Sequence, residues 1–115
     1  MLLVLDTETG AVRAHWRKLN ARLLWLTWSS SSRYVALRVA PGSLSRESDT
    51  VGVLDVQTGG YVALPGRGFD WSPDGKWLAV AIESTGLLLA TPDLASMRWL
   101  DTASCLNVAW RPVER

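Results

Sequence analysis

The sequence repeats itself, and this repetition restricts the possible fold more than any other feature. Residues 71–80 read Trp-Ser-Pro-Asp-Gly-Lys-Trp-Leu-Ala-Val and align without gaps with residues 28–37, Trp-Ser-Ser-Ser-Ser-Arg-Tyr-Val-Ala-Leu. A third copy begins at Trp110-Arg111-Pro112. The tryptophans that open the three copies are spaced by about 40 residues, a period typical of proteins whose repeated units stack on one another.

A second motif recurs with the same period. Residues 53–59, Val-Leu-Asp-Val-Gln-Thr-Gly, align with residues 4–10, Val-Leu-Asp-Thr-Glu-Thr-Gly, and residues 88–94 form a weaker third copy. Short runs rich in Val, Leu, Trp and Tyr lie between the motifs and are bounded by Gly, Pro, Ser or Asp, which is the pattern of β-strands. We therefore expect an all-β fold with negligible helix.

The first motif contains the residues of a tight turn between two strands. In Ser72-Pro73-Asp74-Gly75 the proline suits the second position of a type I turn, and Gly75 stands where φ must be positive. Ser32 occupies the position of Gly75 in the other copy, so we expect that turn to carry strain of about 1 kcal/mol. Gly10 and Gly59 are expected to take the left-handed conformation at the end of the second motif.

The composition of the strands also indicates how the sheets pack. Residues 76–82 and 33–39 are apolar at nearly every position instead of alternating, as in a sheet that is covered on both faces. The order of the segments predicts eleven strands in all. Two strands fall in residues 1–18, four in each of the units 23–65 and 68–101, and one at residues 105–110 within a further incomplete unit, 105–115.

Residues 69–80, with the turn Ser72-Pro73-Asp74-Gly75-Lys76, resemble the repeat of TolB-like six-bladed β-propellers and, more weakly, that of WD-repeat propellers. Residues 53–59 resemble the turn between the third and fourth strands of the same blades. The resemblance implies an incomplete β-propeller of four-stranded antiparallel blades, in which residues 1–18 form half a blade. It implies a binding platform and transfers no catalytic residue, because the matching residues form turns in that family.

A closed propeller needs typically four to eight blades, and the predicted units make fewer than three. Two explanations are open. Either the chain is a piece of a longer propeller, or two copies associate so that the last strand of one joins the first two strands of the other. We favour the longer propeller, because the blade shared between two copies would lack its second strand.

Charge and hydropathy argue against several classes of partner. Twelve Lys and Arg residues against eleven Asp and Glu give a net charge of +1, which leaves no basic surplus for nucleic acid or an anionic membrane surface. No apolar run approaches the roughly 20 residues of a membrane-spanning helix. The N-terminal apolar run ends at Asp6 without the features of a secretory signal, which predicts a cytoplasmic protein, or a periplasmic one if the chain belongs to a TolB-like protein.

Residues with catalytic or metal-binding chemistry are few. His15 is the only histidine and Cys105 the only cysteine, which excludes an intrachain disulfide. A Cys-His dyad would require opposite ends of the chain to meet. No nucleophile elbow, phosphate-binding loop or metal-ligand spacing occurs. We therefore expect no enzymatic activity, no cofactor and no metal.

The candidate binding residues follow from the connectivity. In an antiparallel unit successive connections alternate between the two ends, so the tight turns share one end and the longer connections share the other. Binding residues concentrate on loops that a rigid scaffold holds, and the longer connections have more room to vary. Arg22, Arg46 and Arg67 belong to this second end, and we name them as the candidate binding face for a protein or peptide partner. The simpler interpretation is that these arginines are solvated surface charges.

The tryptophans need a location, because a large indole is costly to leave in water. Trp28, Trp71 and Trp110 recur at one position, so we expect them to pack between units and not to bind nucleic acid or sugars. Trp77 aligns with Tyr34 and is expected to pack in the same way. Three further tryptophans have no equivalent in the repeat, and a missing neighbouring unit would leave any of them free to be exposed: Trp16, Trp25 and Trp99.

Two functions fit this sequence. The first is a non-enzymatic interaction or scaffold module that presents loops to a protein or peptide partner. The second is part of a gating propeller of a prolyl-oligopeptidase-like hydrolase, whose catalytic domain lies outside these residues. We favour the first, because no catalytic residue is recognisable in the chain.

Overall fold

The runs of β-branched, aromatic and leucine residues form strands, as their composition predicts. A computed structural model describes residues 2–5, 8–17, 21–42, 49–82, 86–101 and 109–110, and every regular element in these residues is a strand. In chain order the strands are β1 Leu2–Leu5, β2 Val12–Trp16, β3 Ala21–Trp28, β4 Tyr34–Pro41, β5 Thr50–Asp55, β6 Tyr61–Pro65, β7 Gly68–Trp71, β8 Leu78–Ile82, β9 Gly86–Ala90 and β10 Met97–Asp101. The all-β prediction is confirmed. The strand predicted at residues 105–110 lies outside the described residues except for Ala109 and Trp110, which belong to no strand.

The strands form three antiparallel sheets in which each strand pairs with its neighbour in sequence. The first sheet contains β1 and β2, the second contains β3, β4, β5 and β6, and the third contains β7, β8, β9 and β10. This confirms the expected four-stranded antiparallel sheets. The consecutive order places successive connections at alternating ends of each sheet.

The middle strands of the second sheet, β4 and β5, are covered on both faces. Residues of β4 alternate in direction: Val35 and Leu37 pack with Val4 and Trp16 of the first sheet, whereas Ala36 packs toward the third sheet. Leu37 and Ala36 are both fully buried. A strand that is buried on both faces needs apolar residues at every position, which explains why residues 33–39 do not alternate.

The third sheet shows the same double burial in β8. Leu78 and Val80 face the second sheet and join its core, while Ala79 lies on the opposite face and is 2% exposed. On the neighbouring strand, Leu89 is also buried without belonging to that core. The apolar run over residues 76–82 therefore has the cause that the sequence analysis proposed.

The turn glycines take the predicted conformation. The φ angles of Gly10, Gly59 and Gly75 are 72°, 79° and 73°. Ser32, which stands at the position of Gly75, has a φ of 60°, so a residue with a Cβ is held in the left-handed region. The expected strain in the turn between β3 and β4 therefore has its structural basis.

The turn between β9 and β10 differs from the one expected by alignment with residues 53–59. Thr91 donates its amide N–H to Ser96 O at 2.9 Å, and Leu94 donates to Thr91 O at 2.8 Å. The same two bonds, at the same spacing, close the turn from Ser72 to Trp77. Leu94 takes the place of Gly75 with a φ of 58°. The alignment placed the strand correctly and its turn in the wrong class, because leucine is an uncommon residue at positive φ.

Tyr61 joins the first sheet to the second. Its ring packs against the ring of Trp16 with centroids 5.8 Å apart. A Cβ at Gly52, on the neighbouring strand β5, would overlap the hydroxyl and ring of Tyr61. The absence of a side chain at residue 52 thus lets the tyrosine lie flat against the second sheet and fill the space beneath the first.

Candidate functional site

Four tight turns gather at one end of the second and third sheets. A Cβ at Gly75 would meet the Ser30 hydroxyl, so the turn after β7 lies directly beside the turn after β3. Arg33, in the turn after β3, pairs with Asp55, which begins the turn after β5. Pro92 and Asp93, in the turn after β9, line a cleft together with Asp55. The prediction of a shared end is confirmed for the turns at residues 29–32, 56–59 and 72–75. These contacts do not place the turn predicted at residues 7–10, and the turn after β9 was not among those predicted.

The cleft between these turns has a volume of about 270 Å³. Its apolar lining includes Tyr34, Val53 and Val62 of the second sheet, and Asp55 and Asp93 also line it. Val62 is 45% exposed on the edge strand β6, so the apolar lining reaches the outer surface. We call this cavity the turn cleft.

A bidentate ion pair forms one side of the turn cleft. Arg33 Nε donates to Asp55 Oδ1 at 3.1 Å and its Nη2 donates to Asp55 Oδ2 at 2.9 Å. The guanidinium also lies 5.0 Å from the centre of the Tyr34 ring, within cation–π range. The hydrogen bonds from Arg33 lower the pKa of Asp55, and the same carboxylate raises the pKa of Arg33. Both oxygens of Asp55 are therefore already engaged.

Asp93 offers the cleft an unused acceptor. Its Oδ1 accepts hydrogen bonds from the Thr91 hydroxyl at 2.7 Å and from the Ala95 amide at 3.0 Å. These two bonds lower the pKa of Asp93, the Ala95 amide having the larger effect, so the group is a carboxylate at neutral pH. Its Oδ2 accepts no hydrogen bond within the described residues. An apolar lining beside a free carboxylate oxygen suits a side chain with an aliphatic stem and a cationic head.

A second and wider cleft lies between the first and second sheets. Its volume is about 390 Å³, and it is lined by His15, Trp16, Arg17 and Tyr61. Burial raises the pKa of the Tyr61 phenol, so its hydroxyl stays protonated at neutral pH. His15 and Arg17 are both exposed. The polar side chains of His15 and Arg17 in this cleft are therefore open to solvent.

Two of the three arginines predicted from the sequence, Arg22 and Arg67, lie at the other end of the sheets. Arg22 is exposed on β3, where it pairs with Ala40, and Arg67 is exposed in the connection after β6, where its amide donates to Ala81 O. Arg46 lies outside the described residues. The arginine face stays a prediction, and the turn cleft is a separate candidate at the opposite end.

The turn cleft was not predicted from the sequence, because Asp93 was not identified as the equivalent of Asp74. Thr91-Pro92-Asp93 has the residue pattern of Ser72-Pro73-Asp74, and each aspartate caps its turn in the same way. Leu94 masks this match, since the sequence offers no glycine at the left-handed position. The pattern of hydroxyl, proline and aspartate is the signal that could have found Asp93.

The predicted packing of the tryptophans holds in part. Trp71 is 6% exposed and lies in the core between the second and third sheets, as expected. Trp28 is 44% exposed, so the prediction that it packs between units is wrong for this residue. The first sheet contains two strands in the described part of the chain, too few to cover β3. Trp77 is 40% exposed, whereas Tyr34, its equivalent, is half-buried. Among the three tryptophans without an equivalent, Trp25 and Trp99 are exposed and Trp16 is buried.

Trp110 is half-buried and is tied to the third sheet by two hydrogen bonds. Its Nε1 donates to Asp70 O at 3.0 Å, and its backbone amide donates to Asp70 Oδ2 at 2.8 Å. Trp71 makes the corresponding indole bond to Thr27 O, also at 3.0 Å. Thr27 and Asp70 each precede one of the repeated tryptophans. The indole bond therefore recurs with the repeat.

Across residues 2–5, 8–17, 21–42, 49–82, 86–101 and 109–110, no group of three or more His, Cys, Asp or Glu side chains is arranged to hold a metal ion. Those residues also include no helix with the length and apolar character needed to cross a bilayer. Cys105, one half of the unlikely Cys-His pair, lies outside them.

Comparison of the chain with protein-family models, with curated proteins and with solved structures found no match. The resemblance to TolB-like repeats therefore stays a prediction from the sequence. The function of the chain has to be inferred from its own residues, and the turn cleft is the site with the most defined geometry.

Proposed function

We propose that this chain is a non-enzymatic interaction module, built as part of a β-propeller-like array of stacked sheets. In this proposal it presents its tight turns to a protein partner and binds a basic side chain of that partner in the turn cleft. The observation on which the proposal depends is that Asp93, whose Oδ2 accepts no hydrogen bond within the described residues, lines the same cleft as Tyr34, Val53 and Val62.

The stacked arrangement supports the propeller-like part of the proposal. Stacked repeat units require sheets whose middle strands are buried on both faces, as β4 and β5 are, and here an indole hydrogen bond also repeats from one sheet to the next. Such a scaffold holds its turns rigidly, and rigid placement of turn residues lowers the entropy lost on binding.

The edge strand beside the cleft favours a peptide over a small free cation. β6 is the last strand of the second sheet, and within the described residues it pairs with β5 alone. An extended peptide segment can add to such an edge through main-chain hydrogen bonds while one of its side chains enters an adjacent pocket. Tyr61 and Val62 belong to both the edge and the cleft, so the two modes of contact are contiguous.

A peptide titration tests the proposal. The probe is a fluorescein-labelled peptide with one arginine between small apolar residues, Ala-Val-Arg-Val-Ala, and fluorescence anisotropy reports its binding. We expect Asp93→Asn to weaken binding about tenfold, because a hydrogen bond between charged groups loses its charge. Asp74→Asn is the matched control, since Asp74 caps an equivalent turn and does not line the cleft.

Two results would contradict the proposal. One is an unchanged Kd for Asp93→Asn, and the other is an equal loss for Asp74→Asn, which would indicate a general effect of turn stability. The same peptide with glutamate in place of arginine supplies the opposite charge. If that peptide binds more tightly than the arginine peptide and loses its affinity in Arg67→Ala, the binding site is the arginine face.

A further inference from the structure

The repeated tryptophan bond forms a directional series along the chain. Trp110 donates its indole N–H to the carbonyl of Asp70, the residue before Trp71. Trp71 donates in the same way to the carbonyl of Thr27, the residue before Trp28. Each repeated tryptophan therefore reaches back to the peptide group immediately before its equivalent in the preceding sheet.

Trp28 is the next donor in this series, and it has no acceptor. Within the described residues its indole N–H makes no hydrogen bond, and the side chain is 44% exposed. Trp28 pairs with Val35 and Leu26 pairs with Leu37, and both partners face the first sheet. Cross-strand partners lie on one face, so Trp28 and Leu26 project toward the first sheet as well. Leu26 is 37% exposed there.

The first sheet has no strand, within the described residues, that corresponds to the first strand of the later sheets. In the second and third sheets the residue that accepts the indole bond lies on the first strand, β3 or β7. The first sheet consists of β1 and β2, whose motif corresponds to the third and fourth strands of the later sheets. In the described part of the chain nothing occupies the position of its first strand.

The other end of the series carries the matching acceptor. The residue that precedes Trp110 is Ala109, which is exposed, and its carbonyl accepts no hydrogen bond within the described residues. The two bonds from Trp110 to Asp70 fix this segment against the third sheet, which presents the Ala109 peptide group at the surface. One copy thus has a free donor at one end of the array and a free acceptor of the same register at the other.

We propose that two copies of this chain associate head to tail, with the segment at Ala109 and Trp110 of one copy covering Leu26 and Trp28 of its neighbour. The Trp28 indole N–H of the neighbour donates to the Ala109 carbonyl, which repeats the bonds made by Trp71 and Trp110. The interface joins two different surfaces, so it is heterologous. The free donor and acceptor within one chain are what favour a second copy over an unrelated partner.

Light scattering coupled to size exclusion tests the association at several protein concentrations. We expect the unmodified chain to show a mass above 12.7 kDa that increases with concentration. Leu26→Lys places a charge in the interface and should return the chain to 12.7 kDa with its circular dichroism spectrum unchanged. Trp28→Phe removes the indole donor and keeps an aromatic ring, and it should weaken association about fivefold. Trp25→Ala is the control, because Trp25 lies on the opposite face of β3 and is 64% exposed.

A mixing experiment tests the direction of the contact. Leu26→Lys damages the receiving surface and leaves the tail intact, whereas Trp110→Ala damages the tail and leaves the receiving surface intact. Each variant alone should be monomeric, and an equimolar mixture should form a species of twice 12.7 kDa. An unmodified chain that stays at 12.7 kDa at every concentration would overturn the proposal. So would variants that remain associated on their own, or a mixture that contains monomers only.

Discussion

Trp28 and Trp71 occupy the same position in two sheets of the same design, and their surroundings are opposite. Each stands at the end of the first strand of its sheet and faces the sheet before it. Trp71 faces the four-stranded second sheet, is 6% exposed and donates its indole N–H to Thr27 O. Trp28 faces the first sheet, which has two strands in the described residues, and is 44% exposed.

The turn after the first strand also suits its conformation better in the third sheet than in the second. The turn from Ser72 to Trp77 has an aspartate and a glycine where the turn from Ser29 to Tyr34 has Ser31 and Ser32. Both turns make the same pair of backbone bonds. The repeat therefore fixes where a residue points, while the neighbouring sheet and the local residue type decide how much stability that position contributes.

The largest effect is expected where the two tryptophans are exchanged for alanine. Trp71→Ala removes a buried indole and its hydrogen bond and should lower the free energy of unfolding by about 3–5 kcal/mol. Trp28→Ala should cost about 1 kcal/mol, because half of the indole is already in water. Denaturant unfolding at a protein concentration low enough for monomers measures both. Equal losses would mean that the two tryptophans contribute equally to the free energy of unfolding, which would contradict the difference in their burial.

A smaller effect separates the two turns. Gly75→Val should lower the free energy of unfolding by about 1–2 kcal/mol, because a β-branched residue is strained at positive φ and its Cβ meets Ser30. Ser32→Gly should raise it by up to about 1 kcal/mol by relieving the strain already present. Thermal melts of both variants provide the measurement. Stabilisation by the valine or destabilisation by the glycine would show that the turns are not equivalent.

The smallest effect is a difference in acid sensitivity. Hydrogen bonds from the Ser72 hydroxyl and the Lys76 amide lower the pKa of Asp74 from its ordinary value of 3.8. The carboxylate therefore stabilises the folded chain above pH 3.8, and this contribution is lost as pH falls through the lower folded pKa. Ser31 makes the corresponding bonds in the second sheet without a titrating group.

Asp74→Ser should accordingly reduce the dependence of thermal stability on pH. We expect the melting temperature of the unmodified chain to fall more between about pH 6 and about pH 3 than that of the variant. Asp55 and Asp93 also have lowered pKa values, so the variant should keep part of the dependence. Parallel melting curves over this range would show that the Asp74 carboxylate contributes nothing to the turn.

The strands, the turn glycines and the double burial of the second sheet could be predicted because they depend on local residue patterns. The four-residue turn motif places Gly75 where φ must be positive. Residues 33–39 are apolar at nearly every position because both faces of β4 are covered. The exposure of Trp28 could not be predicted, since it depends on how many strands the neighbouring sheet contains. The turn cleft joins residues that are far apart in sequence, such as Tyr34 and Asp93, which no local pattern relates.

The position of the indole bond has a consequence for how such a chain can lengthen. Its acceptor peptide group and its donor side chain are adjacent in sequence, Thr27 before Trp28 and Asp70 before Trp71. A segment of one repeat length thus contains both the carbonyl that accepts the indole bond of the next unit and the indole that donates to the previous unit. In-frame duplication of that segment in the gene would create a new unit that can form the indole hydrogen bond with the units before and after it, without any compensating mutation. Selection could then act on the turns of the added unit, because its attachment would be correct from the first generation.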